Sequence, residues 1–350
     1  MTPAVTALGL FSGGLDSILA CRLVADMGVR VIALKFVTPF FDHDLLACPE
    51  QYALDMRHTY GLEVELVDLS EGYLEMLDRP THGFGKHFNP CIDCKILMLT
   101  QARERMAAYN ASFLVTGEVL GQRPMSQRRD TMRVIERDSG CEDILLRPLS
   151  ARLMRPTRPE REGLVDREQL LTIFGRGRKQ QKLLAANLGI VDYPTPAGGC
   201  LLTDPNLAGR IRYFHEGLFP QALMRSADDY RLLSIGRQFR LGDGVWFIVG
   251  RNQRENEQLT SLRGSADWTL DLVDRPGPLG LVRFGQTSLG LSGRAAELLP
   301  ILAGIVIRYG KRIDGDTPTQ AEVLVDRGDD GTLIGHFPPL VDDDFLAWRI

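Results

Sequence analysis

A short run of small and polar residues near the amino terminus has the composition of a phosphate-binding turn. The run consists of Ser12, Gly13, Gly14, Leu15, Asp16 and Ser17. The glycines let the backbone turn tightly beside a ligand, and the hydroxyls and unpaired N–H groups of a following helix bind anionic oxygens. The run lacks the lysine of a Walker A loop. It predicts a pyrophosphate-binding turn of another kind, with an ordinary glycine-rich turn as the alternative.

Three of the six cysteines stand at positions that favour chemistry. Cys91 and Cys94 form a CxxC pair at the predicted start of a helix, and Cys200 ends a loop rich in proline and glycine. A helix start favours the thiolate, which is both the nucleophile and the metal ligand. Two reactive interpretations stay open, a persulfide relay and an iron–sulfur cluster held by three thiolates. Structural zinc and buried thiols are the plainer alternatives.

A second polar segment, residues 116–127, combines glycines with hydrogen-bond donors. Glycines at both ends of a loop bring its backbone close to a ligand. The predicted nucleotide contacts in this segment are Gly117, Gln122, Arg123 and Ser126. A plain connection between a strand and a helix is the alternative interpretation.

Apolar runs alternate with helical patterns through the first half of the chain. The strands are predicted near residues 7–11, 31–36, 63–68, 113–116 and 144–146, and the helices near 15–27, 50–60 and 94–109. This alternation predicts an α/β fold, a doubly wound parallel sheet that binds ligands beyond the carboxyl ends of its strands. Lys35 and Phe36 end the second strand, so we expect them at the edge where the ligand binds.

Changes in composition and in predicted secondary structure divide the chain into three segments. Residues 1–150 form the sheet domain, and residues 151–206 supply a segment rich in arginine and proline, a helix near 167–188 and the loop of Cys200. Residues 207–350 form a smaller α+β domain, with strands near 245–249, 279–284 and 321–325 and a helix over 295–309. The third cysteine is therefore expected to complete the site of the first domain.

Composition and charge limit the partners of the chain. The net charge is −4, but residues 123–182 hold 15 Lys+Arg against 9 Asp+Glu, a local balance of 15 − 9 = +6. Such a block predicts a footprint for a polyanion such as tRNA, with Arg152, Arg155 and Arg158 as contacts; a solvated surface is the alternative. No apolar run is long enough to cross a membrane and no signal peptide begins the sequence, so we expect a cytoplasmic protein without a membrane partner.

The Ser-Gly-Gly-x-Asp-Ser run resembles the PP-loop of ATP pyrophosphatases. Residues 116–127 and 146–149 look like matching motifs of tRNA 4-thiouridine synthetases, and the likeness spans residues 7–205. This resemblance implies an adenine nucleotide α-hydrolase-like fold and an enzyme that uses ATP and Mg²⁺ to adenylate a uridine carbonyl, with Asp16 as a catalytic residue. AMP and pyrophosphate are the implied products, and sulfur replaces the oxygen.

The CxxC pair with a distant third cysteine is similar to iron–sulfur-dependent tRNA thiolases. This similarity implies that Cys91, Cys94 and Cys200 hold a [4Fe–4S] cluster and deliver the sulfur, which comes from sulfide or a cysteine desulfurase. The chain departs from the 4-thiouridine synthetases because it begins at the first predicted strand, so we expect no RNA-binding domain before it.

Residues 247–259 and 266–268 resemble the NFACT-R module, which is associated with RNA binding. On this interpretation Arg251, Asn252 and Arg254 hold phosphate, and Trp268 stacks on a base. A chance turn and a core tryptophan are the alternatives.

The preferred prediction is an ATP-dependent tRNA sulfurtransferase. One rival keeps the PP-loop for amidation or for small-molecule sulfur transfer, for which the three cysteines are not all needed. Another rival is an RNA-binding protein with a vestigial ATP site, against which the intact Asp16 and Ser17 argue.

Overall fold

The computed structural model describes residues 5–195, 200–215, 217, 225–242, 244–312, 319–340 and 343–350. The chain divides into two compact units, Met1–Pro205 and Asn206–Ile350, and each is treated by itself. Part of the predicted proline–glycine loop, residues 196–199, lies outside the described residues.

The first unit is built on a five-stranded parallel sheet with helices on both faces. Its strands are β1 (Thr6–Leu10), β2 (Arg30–Val37), β3 (Glu63–Asp68), β4 (Ala111–Thr116) and β5 (Leu145–Leu146). Its helices are α1 (Leu15–Ala25), α2 (Pro49–Tyr60), α3 (Ser70–Asp78), α4 (Cys91–Arg105), α5 (Arg129–Ser139), α6 (Arg158–Arg161) and α7 (Lys179–Asn187). The predicted fold class is confirmed.

The order of the strands places the phosphate-binding turn at the centre of one sheet edge. The order is β3-β2-β1-β4-β5, so the chain leaves β1 to one side for β2 and later returns to its other side for β4. Ligands of open α/β sheets bind at such a switch point, beyond the carboxyl ends of the strands. The turn after β1 and the loop after β4 therefore meet at one edge.

Packing against both faces explains why the central strands are almost wholly apolar. All five residues of β1 are buried. One core includes Ile18 of α1 and Ala185 of α7, and the other includes Leu99 of α4 and Ile135 of α5. Parallel strands covered on both faces have this composition.

The predicted helix over residues 167–188 is wrong in its first half. Only a 3-10 turn over Arg167–Gln169 and the helix α7 are helical in this stretch. Between them, the Ile173 N–H donates to the Leu149 carbonyl at 2.8 Å, and Gly175 has φ +82°. An extended segment tied to a neighbouring strand end, followed by a left-handed glycine, cannot continue a helix.

The second unit contains a six-stranded antiparallel sheet. Its strands are β6 (Arg237–Leu241), β7 (Val245–Val249), β8 (Trp268–Leu272), β9 (Gly280–Arg283), β10 (Ala321–Asp326) and β11 (Thr332–Phe337), in the order β11-β10-β8-β9-β7-β6. Its helices are α8 (Pro205–His215), α9 (Ala227–Leu233), α10 (Gln253–Leu262) and α11 (Ala295–Tyr309). The predicted second α+β domain is confirmed. In the described parts of both units, no helix is long and apolar enough to cross a membrane.

Candidate functional site

The turn between β1 and α1 is held in shape by its own serines. The Ser17 hydroxyl donates to the Gly14 carbonyl at 2.7 Å and accepts the Ser12 N–H at 3.2 Å. Gly13 has φ +79°, a conformation that favours glycine. Contacts within the chain thus define the shape of this turn.

Gly117 lets the end of β4 touch the start of α1. A Cβ atom at this position would lie 2.5 Å from the Ser17 backbone nitrogen and would overlap the Asp16 carbonyl. Both partners are backbone atoms, so no side-chain rotation relieves the contact. Glycine at position 117 therefore brings the loop after β4 directly against the phosphate-binding turn.

Asp16 is positioned by the loop after β4 and by the segment that leads into α7. The Gln122 amide donates to Asp16 Oδ2 at 2.6 Å, and Gln181 donates to Gln122 at 3.1 Å. Arg178 Nη2 lies 3.7 Å from the same oxygen. The other oxygen, Oδ1, is buried and has no hydrogen-bond partner in the described part of the chain. The carboxylate therefore keeps one acceptor for a ligand.

Lys35 contacts the turn itself. Its buried ammonium donates to the Ser12 carbonyl at 2.8 Å and pairs with Asp42. A Cβ atom at Gly13 would meet the Tyr52 hydroxyl at 3.3 Å and Lys35 Nζ at 3.8 Å, so both groups lie beside this glycine. Burial, followed by the charge of Asp42, raises the pKa of Tyr52, so this hydroxyl stays protonated. A cation and a neutral hydroxyl thus border the proposed pyrophosphate position.

A cleft opens at this sheet edge between the turn and α4. It is lined by Leu10, Phe11, Ser12, Asp16, Ser17, Lys35, Phe36, Phe41, Asp42, Lys95, Met98, Thr116, Gly117, Glu118, Arg123 and Gln127. The structure brings most of the predicted nucleotide contacts together here. Of the others, Gly13 and Gly14 build the turn, Gln122 acts through Asp16, and Ser126 is buried in the loop after β4.

Glu118 is a buried acid in this cleft that sequence reasoning did not select. It accepts from Arg147 Nε at 3.1 Å, and Lys95 Nζ lies 3.8 Å away. Burial alone would raise the pKa of Glu118, but the charges of Lys95 and Arg147 outweigh it and lower the pKa. The acid is therefore ionised near neutral pH.

The three candidate cysteines lie within electrostatic reach of one another and of Tyr73. Desolvation raises the pKa of Cys94 to about 11 against the opposing charge of Lys95, and it raises that of Cys200 to about 12. The charges of Cys94 and Cys91 add to the shift at Cys200. The expectation that a helix start lowers the pKa is wrong for Cys94, because desolvation is the larger effect.

Asn89 connects the CxxC pair to the loop after β4. Its amide nitrogen lies 3.1 Å from Cys91 Sγ and 3.4 Å from Met125 Sδ, and the residue is buried. All six cysteines are free. Within the described ranges, no group of three or more His, Cys, Asp or Glu side chains is arranged to hold a metal ion. The thiols are neighbours without a ready coordination geometry.

Two segments of the chain match known protein families. Residues 3–152 match the family described as thiamine biosynthesis protein (ThiI). This segment is ThiI-like. Residues 236–348 match the family described as NFACT protein RNA binding domain. These matches confirm the predicted resemblance to PP-loop enzymes of tRNA thiolation and to the NFACT-R module.

Solved structures similar to the chain include two proteins of tRNA thiolation. A 4-thiouridine synthetase solved with RNA and ATP is 18% identical over 53% of this chain, which covers 52% of that one, with a TM-score of 0.34. The U34-tRNA thiolase NcsA of Methanococcus maripaludis, solved with its [4Fe-4S] cluster, is 17% identical, with coverages of 62% and 69% and a TM-score of 0.32. The chain thus spans about half of the synthetase.

A third similar structure is that of a predicted subunit of tRNA methyltransferase from Methanocaldococcus jannaschii. It is 17% identical over 41% of this chain and 69% of that one, with a TM-score of 0.29. No curated protein matches the chain significantly.

In the NFACT-like segment, two of the predicted RNA contacts have structural roles. Arg251 pairs with Glu255 at 2.5 Å, and Asn252 caps α10 by accepting the Glu255 N–H at 3.0 Å. Trp268 is 2% exposed within the core, so the prediction that it stacks on a base is wrong. Arg254 remains an exposed residue of this segment.

Much of the positive charge in the predicted tRNA footprint forms contacts within the chain. Arg152 lies 3.5 Å from Glu168, and Arg158 donates to the Ser112 carbonyl at 2.8 Å. Arg155 is exposed and has no partner among the residues that the structure describes. The three predicted tRNA contacts are therefore not equivalent.

Proposed function

We propose that the chain is an ATP-dependent tRNA sulfurtransferase that releases AMP and pyrophosphate. The observation that carries this proposal is the internally hydrogen-bonded turn at residues 12–17, with the unpartnered Asp16 Oδ1 beside it, in a ThiI-like segment. The neutral Tyr52 and the cation of Lys35 suit a pyrophosphate on the turn.

ATP would lie along the cleft with its pyrophosphate on the turn and its adenine near residues 34–36. Asp16 has a free carboxylate oxygen of the kind that Mg²⁺ prefers, and the ion would offset the charge of the phosphates. Arg123 lines the same cleft and supplies a further cation. The role of these residues is to bind and orient the triphosphate.

The reaction follows from the chemistry of an adenylated carbonyl. The carbonyl oxygen of a uridine attacks the α-phosphorus, the bond to the leaving pyrophosphate breaks, and AMP becomes joined to the base. Hydrosulfide then adds to the same carbon, loses its proton, and expels AMP as the carbon–oxygen bond breaks. No electrons are gained or lost in this sequence.

The sulfur site is proposed at Cys91, Cys94 and Cys200. Three neighbouring thiols are the donor set that an iron–sulfur cluster takes, and a [4Fe–4S] cluster offers an open iron to sulfide when it is bound. Asn89 orients Cys91, and Tyr73 forms a hydrogen bond with Cys94. A persulfide relay through the same cysteines is the alternative, and it needs only two of the three thiols.

A test of the nucleotide chemistry is the replacement of Asp16 by alanine. Purified protein with unmodified tRNA and ATP is expected to form AMP and pyrophosphate, and the Asp16→Ala variant is expected to lose at least about 100-fold in rate. Asp26→Ala is the control, because this residue lies at the far end of α1 and pairs with Arg22 outside the cleft. Formation of ADP, or an active Asp16→Ala variant, would reject the proposal.

The sulfur site is tested by metal content. Protein purified without oxygen is expected to hold iron and acid-labile sulfide, and alanine at Cys91, Cys94 or Cys200 is expected to remove both. Cys48→Ala is the control, since this exposed thiol is remote in sequence from both parts of the site. Iron-free protein that still thiolates tRNA would favour the persulfide relay. Iron retained in all three variants would show that these cysteines do not bind it.

A further inference from the structure

A second cleft lies between α5 and the segment that follows β5. We call it the arginine cleft, and its lining residues are Arg129, Arg133, Glu136, Leu145, Arg147, Ala151, Met154, Arg155, Thr157 and Glu160. It is separate from the nucleotide cleft, with which it shares no lining residue. Four of its ten lining residues are arginines, so it has the composition of a site for an anion.

The arginines at the rim of this cleft have few partners within the protein. The side chains of Arg133 and Arg155 are exposed and form no hydrogen bond or ion pair in the described part of the chain. Arg129 donates once, from Nη2 to the Leu153 carbonyl at 3.1 Å. Arg129 and Arg133 stand four residues apart on α5, where like charges repel each other. A bound anion would relieve this repulsion.

The deepest arginine of the cleft has an unused donor. Arg147 is 2% exposed; its Nε donates to Glu118 at 3.1 Å, and its Nη1 donates to Glu136. Its buried Nη2 has no hydrogen-bond partner among the described residues. A buried guanidinium N–H without a partner is costly, so this donor favours an anion in the cleft that Arg147 lines.

The two acids of the cleft do not neutralise the rim. Glu136 pairs with Arg147, and Glu160 pairs with Arg167, which lies outside the lining. Glu160 also accepts the Thr157 N–H at 2.7 Å. Their charges are therefore engaged, and the positive charges of Arg129, Arg133 and Arg155 remain for an external partner.

We propose that the arginine cleft binds a phosphate group. Guanidinium groups match phosphate in geometry and keep their charge at all relevant pH values, and several of them converge here. On the proposed function, which this step presupposes, the phosphate belongs to the tRNA backbone. The contact then involves Arg133 and Arg155, whereas the ion pair of Arg152 places that residue outside it.

The decisive comparison uses two double variants of equal charge. Arg133→Ala/Arg155→Ala removes the rim, and Arg128→Ala/Arg152→Ala removes two exposed arginines that pair with Asp130 and Glu168 instead. Binding of unmodified tRNA is measured across salt concentrations. The rim variant is expected to lower the salt slope by about one unit or more, and the control is expected to keep it. Equal slopes in the rim variant and the wild type would overturn the tRNA contact.

Inorganic phosphate distinguishes the two sources of the ligand. Phosphate is expected to raise the melting temperature of the wild type and of the control, and to leave the rim variant unchanged at equal ionic strength. No difference between the rim variant and the wild type would overturn the phosphate site. In a third outcome, phosphate stabilises the wild type and not the rim variant while both bind tRNA equally well. That result would support the phosphate site and would reject the tRNA backbone as the source of its phosphate.

The formation of AMP from ATP separates this inference from the proposed function. The rim residues line the proposed tRNA contact and not the nucleotide cleft, so the rim variant is expected to need more tRNA for half-maximal AMP formation. An inactive wild type would reject the proposed function, while the phosphate measurement would still test the cleft. Circular dichroism checks that each double variant is folded.

Discussion

Arg147 and Arg283 are two buried arginines, each placed between two carboxylates, in different units of the molecule. Arg283 donates from Nε to Asp229 at 2.8 Å and from Nη1 to Asp267 at 2.6 Å, and its Nη2 lies 2.8 Å from Asp229. Arg147 uses Nε and Nη1 in the same way and leaves Nη2 without a partner in the described chain. One cluster is complete and the other is not.

This difference separates a structural use of buried charge from a binding use. Asp267 also accepts the N–H groups of Phe284 at 2.8 Å and Gly264 at 2.7 Å, so the Arg283 cluster fastens the end of β9 to a neighbouring turn. The Arg147 cluster lines a cleft and keeps an unused donor. Fully paired networks rigidify a fold, whereas an unpaired buried group calls for an explanation outside the chain.

The largest expected effect is on stability at the complete cluster. Arg283→Met leaves Asp229 and Asp267 buried without their cation, so unfolding in urea is expected to show a loss of about 3–5 kcal/mol. Arg147→Met is expected to lose less, because Glu118 keeps Lys95 and Glu136 is partly exposed. Equal losses in the two variants would remove the distinction between the clusters.

Two glycine substitutions, one in each unit, are expected to have effects of intermediate size on stability. Gly117→Ala pushes on the backbone of the phosphate-binding turn, so it is expected to lower both stability, by about 1–3 kcal/mol, and AMP formation. Gly285→Ala places a Cβ atom 2.6 Å from Cγ of the buried Trp268, so it is expected to lower stability by a similar amount.

The readout that separates these two variants is the rate per folded molecule. The Gly285→Ala variant is expected to form AMP at the wild-type rate once its folded fraction is taken into account. Gly177→Ala is the control, because a Cβ atom there meets nothing within 4 Å. A Gly117→Ala variant with full activity would show that the tight contact does not shape the site.

The smallest expected effect concerns an ion pair at the surface of the second unit. The hydrogen bond from Arg263, then that from the Gly328 N–H, lowers the pKa of Asp326 from 3.8 to about 2. A lowered folded-state pKa gives stability above pH ~4 that is lost as the pH falls towards 2. Asp326→Asn is expected to cost less than about 1 kcal/mol at pH 7, because the pair is partly exposed.

The measurement is chemical unfolding of Asp326→Asn and the wild type at several pH values. Their difference is expected to shrink between pH 4 and pH 2. A difference that grows as the pH falls would have the opposite sign and would contradict the lowered pKa. A loss as large as that of Arg283→Met would contradict the separation of buried from exposed pairs.

The sequence predicted the parallel sheet because short strand-like runs, most of them apolar, alternate with helical patterns. The phosphate-binding turn was also predictable, since residue types and order suffice to define it. The helix predicted over 167–188 was wrong in its first half because Gly175 and the hydrogen bond from Ile173 to Leu149 decide the local structure. That bond joins residues 24 positions apart, beyond any local pattern.

The partners of the charged residues could not be predicted from local sequence. Glu118 and Arg147 meet only because β4 and β5 are neighbours, and Lys35 reaches Ser12 only because β1 and β2 pair. For the same reason, the balance of charge over residues 123–182 did not tell which arginines are free. Trp268 was misassigned for a different reason. Its motif resembles an RNA-binding module, but the side chain is buried in the core.

The Glu118–Arg147 ion pair has a thermodynamic consequence. Glu118 lines the nucleotide cleft, and Arg147 lines the arginine cleft. A ligand in one cleft that changes the strength of this bond changes the binding free energy in the other cleft. Linkage then requires symmetry: the factor by which nucleotide alters the affinity for phosphate equals the factor by which phosphate alters the affinity for nucleotide.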